Sequence, residues 1–186
     1  MKVMRTSLAT TLVRSQASLS NMIMNADYYA GSGGIEGLTA AAYGRPAIVV
    51  SAGPSLQRNL RLLEDPKVRE HAVIICVQTM LKPLLRRGIK PHFVCALDYH
   101  ELSRRFYEGL TKSDVEGVTL VAEPKANPAI LEAFPGRVLC VQEPLLDQLL
   151  GPDLPEGVDA KLELGADLPR VRIDAERLRQ VLINLG

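Results

Sequence analysis

The fold is decided by residues 47–98, AIVVSAGPSLQRNLRLLEDPKVREHAVIICVQTMLKPLLRRGIKPHFVCALD. Three short apolar runs rich in β-branched residues stand out: AIVVSA (47–52), AVIICVQ (72–78) and HFVCALD (92–98). Between them lie helix-like stretches. LQRNLRLLED (56–65) places Leu56, Leu60 and Leu63 on one face, and MLKPLLRRG (80–88) closes on Gly88, a C-terminal cap. The beat continues outward. ELSRRFYEGL (101–110) reads as a third helix. VTLVAE (118–123) with NPAILEAF (127–134), then RVLCVQ (137–142) with PLLDQLLG (144–151), repeat the pair. Strand–helix pairs recurring every ~20–27 residues are the βαβ rhythm of an α/β domain. The expectation is a mostly parallel sheet of about five strands with flanking helices. Such near-continuous apolar strands suit a sheet buried on both faces, with right-handed crossovers.

Upstream, residues 1–44 read as a helical lead-in. Leu8, Leu12, Leu19, Met22 and Ile23 recur at roughly helical intervals, and the GSGG at 31–34 breaks the helix. Residues 45–150 form the α/β domain. GPDLPEGVD (151–159) is Pro/Gly/Asp-rich and reads as a linker. The tail, 160–186, has a β-β-α pattern: KLEL and VRI are strand candidates, and Asp174 can cap a helix whose apolar stripe is Leu178, Val181, Leu182 and Leu185.

Composition narrows the classes. The chain has 186 residues, 22 basic and 21 acidic, for a net charge of +1. A hydrophobic content of 47% against 23% charged excludes a disordered chain. Near-neutral charge argues against a nucleic-acid binder, and 4% aromatics with no Trp argues against a stacking platform. Every Tyr and Phe lies at or before Phe134, an early compositional change along the chain. No stretch reaches the ~18 apolar residues of a membrane span, and the N-terminus lacks the apolar core of a signal peptide. Cys76, Cys95 and Cys140 are widely spaced, each within a strand-like run. They read as small buried hydrophobes of a cytoplasmic protein, since no paired CxxC spacing suggests a metal.

The residues that can carry chemistry cluster at strand ends. Ser51, Gly53, Pro54 and Ser55 form a small-residue turn between a strand and a helix. Backbone N–H groups and the helix dipole favour an anion there, though a Ser-capped turn reads the same way. The pattern is neither GxGxxG nor a P-loop. Asp98 follows the third strand and can bind Mg²⁺ or cap the next helix, with His100 and Glu101 nearby. Gln78 and Thr79 end the second strand and can line a nucleotide, although Thr79 also suits a cap. Glu123, Lys125 and Asn127 end the fourth: a carboxylate and an amine for substrate, and an amide that can equally cap the following helix. Their coincidence on one sheet edge, where α/β sheets bind ligands, is stronger than any one of them. Arg86–Arg87 and Arg104–Arg105 read as solvated helix faces.

Residues from about 45 to 150 resemble the 6-hydroxymethylpterin diphosphokinase (MptE-like) family, which also covers the central domain of bacterial motility accessory factors. The resemblance rests on GPSL at 53–56, T-x-LKPLL-x-x-GIKP at 79–91 and the strand ending in Asp98. It implies a nucleotide-handling transferase that moves phosphate or diphosphate from ATP with Mg²⁺ to a small-molecule acceptor. The alternative is a motility-accessory-factor-type glycosyltransferase using a CMP-activated sugar acid. By resemblance Gly53, Pro54 and Ser55 cradle phosphate, Asp98 faces metal or donor, and Gln78 and Thr79 line the nucleotide. Glu123 and Asn127 match by loop position only.

Residues 160–186 resemble a different family, the start of a sensor histidine kinase ATPase domain. The N-box Asn of that family would fall after Gly186, and Asn184 lies in the lead-in helix. A piece of ~27 residues cannot bury a core of its own, since stand-alone folding becomes implausible below ~40 residues. If it folds, its stripe must dock on the α/β body or on a partner. The expectation is therefore an incomplete α/β domain joined near 151–160 to an incomplete kinase-like piece, by an artefactual or fragmentary junction. An inactive truncated or chimeric fragment is a third reading. It carries the further expectation of self-association through an unpaired sheet edge near 118–142.

Overall fold

The computed structural model describes residues 15–144 and 146–147. The chain is helical over 15–24 (α1), Ala26–Ser32 (α2) and Gly37–Ala42 (α3). The expected break arrives at Gly33, which caps α2 with φ +67°. Then come β1 (Ala47–Val50), α4 (Pro54–Leu63), α5 (Pro66–His71) and β2 (Val73–Val77). A 3-10 turn at Gln78–Met80 leads into α6 (Leu81–Leu85) and β3 (Phe93–Ala96). The stretch expected as a third helix is instead a 3-10 helix, Glu101–Phe106. It is followed by β4 (Thr119–Ala122), α7 (Pro128–Ala133) and β5 (Arg137–Cys140). The tail 160–186, its kinase resemblance and the linker 151–159 lie outside the described residues.

The fold is α/β, with five parallel strands in one sheet in the order β1-β2-β3-β4-β5. That sequential order has a consequence. Crossovers of one hand, made always to the next strand in the same direction, fall on the same face of the sheet. The core records it. Val50, Cys76, Val94, Leu120 and Val138 share one row of the register, with Ile48–Ile74 and Ala96–Ala122–Cys140 on the same face. All pack with Leu63, Leu81, Leu84, Ile130, Leu131 and Phe134 from the connecting segments. Fully burying one such aliphatic side chain stabilises by about 1.5–3 kcal/mol. Tyr107 joins this core edge-on to Phe134, with centroids 5.7 Å apart.

The opposite face carries Val49, Ile75, Val77, Cys95 and Val121. None belongs to the main core, and Val49 is 72% exposed. Sheet edges lie at β1 and β5. Within the stretch 118–142 expected to hold an unpaired edge, β5 is that edge strand, with α2 packed against it, while β4 is bonded on both sides. Cys76 and Cys140 are buried as expected, whereas Cys95 on the second face is only partly covered. Burial pushes the Cys76 thiol up to about 12 and Cys140 up to about 11, so both stay protonated at neutral pH.

Candidate functional site

All the residues singled out from the sequence lie at the carboxyl ends of the strands, but the structure divides that edge in two. Over β1 and β2 it is open. β1 ends in Ser51, and Gly53 is the N-cap of α4, with Pro54 in the first turn. No side chain caps this helix, and neither serine hydroxyl is engaged by another group among the described residues. Gly53 has extended backbone (φ −141°, ψ 158°). A Cβ there would meet nothing closer than the Ser55 Oγ, at 3.9 Å. A cavity of about 390 Å³ opens beside the turn, between β1 and α4, with Ser51, Ser55 and Asn59 as its polar lining and Ile48, Val50 and Leu56 among its apolar walls. Just past β2, Gln78 and Thr79 sit in the 3-10 turn, and the Gln78 Oε1 is buried without a hydrogen-bond partner.

Over β3, β4 and β5 the edge is capped by the lead-in. Asn21 Nδ2 donates to the Tyr99 and Lys125 carbonyls (3.2 and 3.1 Å). One helical turn on, Asn25 Nδ2 donates to the Pro124 and Ala126 carbonyls (2.8 and 2.7 Å). A further turn on, the Tyr29 hydroxyl donates to the Asp147 carboxylate and accepts from the Glu143 N–H. Burial, then that bond to Asp147, raises the Tyr29 pKa. Asparagine, asparagine and tyrosine at positions 21, 25 and 29 share a helix face. That four-residue polar spacing was a signal in the sequence, and reading the lead-in for apolar period alone passes over it.

Under this cap the remaining predicted residues are partnered. Asp98 accepts from the His100 N–H (3.0 Å) and the Ser103 hydroxyl, so its carboxylate organises its own turn. Asn127 caps α7, accepting from the Ala129 N–H at 3.1 Å, and donates to the Tyr99 carbonyl. Lys125 pairs with Glu143 at 2.6 Å and lies 3.8 Å from Glu123; the Glu143 bond raises its pKa and keeps it charged. β1 and β3 are two strand intervals apart, so the Ser51 turn and Asp98 stand about 10 Å from each other.

The donor set for a divalent cation is small. Among the described residues no three His, Cys, Asp or Glu side chains converge. Mg²⁺ is commonly held by one or two carboxylates together with substrate phosphates, and a carboxylate has about four lone-pair sites. Asp98 uses two of these within its turn, so it fits a one-carboxylate site completed by phosphate.

Residues 20–160 match the model of a family described as 6-hydroxymethylpterin diphosphokinase MptE-like. The chain belongs to the MptE-like family. Membership supports a transferase-type role. The solved structure of a MAf glycosyltransferase from Magnetospirillum magneticum AMB-1 is similar, with 21% identity and a TM-score of 0.43. The similarity covers 60% of this chain and 18% of that one, so this MptE-like chain spans under a fifth of that protein's length. No curated protein matches. No helix among the described residues is long and apolar enough to cross a membrane.

A second cavity, about 460 Å³, lies at the amino ends of the strands, with Asp65, Arg69, Ile74, Lys90 and Glu116 in its lining. It is at the wrong end of a parallel sheet for the predicted chemistry, and Arg69 there is committed to the Lys90 and Gly117 carbonyls, both at 2.8 Å.

Proposed function

We propose that this MptE-like chain is a nucleotide-binding transferase domain that holds phosphates at the Ser51–Ser55 turn and passes phosphate or diphosphate to a small-molecule acceptor. The observation that carries this is Gly53. Its backbone is ordinary extended chain and its surroundings have room for a Cβ. Folding therefore does not demand glycine there. What a missing side chain does provide is close approach of an anion to the N-terminus of a ten-residue helix that no side chain caps. The unengaged hydroxyls of Ser51 and Ser55 supply further donors. Gln78 and Thr79, just past the neighbouring strand, line the nucleotide. Asp98 would hold Mg²⁺ against the phosphates, and the ion when bound neutralises their charge. Lys125 stands at the same edge paired with Glu143, and meets phosphate by exchanging that partner, while Glu123 and Asn127 border the acceptor side. Rate enhancement by such a set is positioning and electrostatics.

Thermal unfolding with and without ligand tests this, because a ligand that binds only the native state raises the melting temperature by mass action. ATP with Mg²⁺ is expected to raise it. Gly53→Ser should lose that rise while the ligand-free protein melts as before, since serine is a good N-cap. Asp98→Asn should lose the Mg²⁺-dependent part. A rise with CMP and no metal instead favours the sugar transferase, and no rise with either favours an inactive fragment.

A further inference from the structure

The crossovers leave the second face of the sheet without cover from the connecting segments. Val49 is 72% exposed there and Leu97, just past β3, is 66% exposed; Ile75, Val77, Cys95 and Val121, on β2, β3 and β4, are part-covered. Parallel sheets are normally buried on both faces. Among the described strand residues, the buried side chains of this face are Leu139 on β5 and Val73 at the start of β2.

We propose that residues 174–185 of this same chain pack across the open face, with Leu178, Val181, Leu182 and Leu185 against it. The sequence places these four on one helical stripe, with Glu176, Arg179 and Gln180 turned away. As a helix, the segment is about 18 Å long, and four strand intervals from β1 to β5 span about 19 Å. The described chain ends at residue 147, just past β5, the strand from which cover already begins. Residues 148–173 can extend about 80 Å, several times the sheet width. A second copy is the weaker occupant. The flat face, five strands by about four residues, offers roughly 250 Å², well short of the ~800 Å² per partner that stable interfaces bury.

The three native cysteines read this out. Cys95 lies on the open face; Cys76 and Cys140 lie in the helix-covered core. In the full chain, alkylation at fixed pH followed by peptide mapping should find Cys95 protected. In Leu178→Asp/Leu182→Asp, Cys95 should react roughly tenfold faster or more, the scale of a local opening equilibrium. Cys76 and Cys140 should stay unreactive and light scattering should report a monomer. Equal Cys95 rates in the two proteins overturn the proposal, as does protection that disappears on dilution of a dimer. Should all three cysteines open together in the double variant, Leu182→Cys decides: an intramolecular cross-link to Cys95 supports the proposal, and its failure to form overturns it.

Discussion

Asn25 is fully buried, and both of its side-chain N–H groups go to carbonyls of the loop after β4. Replacing it with Leu leaves two buried acceptors without donors. An unsatisfied buried group costs about 1–3 kcal/mol, so Asn25→Leu should lower the unfolding free energy by at least about 1 kcal/mol. A urea midpoint unchanged from the parent would contradict this. His92, just before β3, supplies a second residue-level prediction. Its Nδ1 accepts the Ile74 N–H at 3.0 Å, which requires that nitrogen unprotonated. Desolvation, followed by the nearby Arg69 and Arg45 charges, lowers its pKa. The unfolded chain, with a His pKa of ~6.5, then binds the proton more readily than the folded one. This contribution to stability is present above ~6.5 and is lost as pH falls through the lower folded value. Urea midpoints measured from pH 7.5 down to pH 5 should fall, and His92→Gln should flatten that part of the slope.

Turn and cap chemistry governs the elements. Gly88 ends the α6 turn with φ +74° and open space around it. Gly88→Ala should therefore cost about 1 kcal/mol through backbone strain alone. Gly53 is the contrast: a glycine whose φ any residue adopts, so that replacing it is expected to move ligand binding rather than stability. Asn127→Ala removes the α7 cap and should cost about 1 kcal/mol in a denaturant titration, together with its bond to the Tyr99 carbonyl. Element identity was largely legible. The five strands fall within their apolar runs, and GSGG stops the lead-in helix one residue past Gly31. Two elements were not. PKVREH forms α5 without an apolar stripe, started by the Asp65 cap and Pro66. ELSRRFYEGL tightens to a 3-10 helix, tied down at its start where Ser103 bonds Asp98.

At the scale of the molecule, the sheet is one-sided because its strands follow one another in order. The lead-in then crosses the carboxyl ends of β3 to β5 and leaves those of β1 and β2 open. Of the candidate site, the Ser51–Ser55 turn could be read directly, since a strand, a small-residue turn and a helix start are contiguous in the chain. The local bonds of Asp98 and Asn127 were legible too, as cap chemistry within a few residues; the engagement of Lys125 was not. Glu143 reaches Lys125 from the segment after β5, and Asn21 reaches its carbonyl from more than a hundred residues away.

The sequence alone determined the alternation of strand and helix, the α/β class, the turn at Gly53 and the family resemblance. These are local: β-branched runs, cap residues and helical spacing act over a few neighbours. Tertiary structure decided which strand neighbours which, hence which face is bare, which half of the carboxyl edge is open and which polar groups are already satisfied. Apolar period records that a strand face is buried, but burial needs a partner surface, and the identity of that surface depends on contacts between segments far apart in the chain.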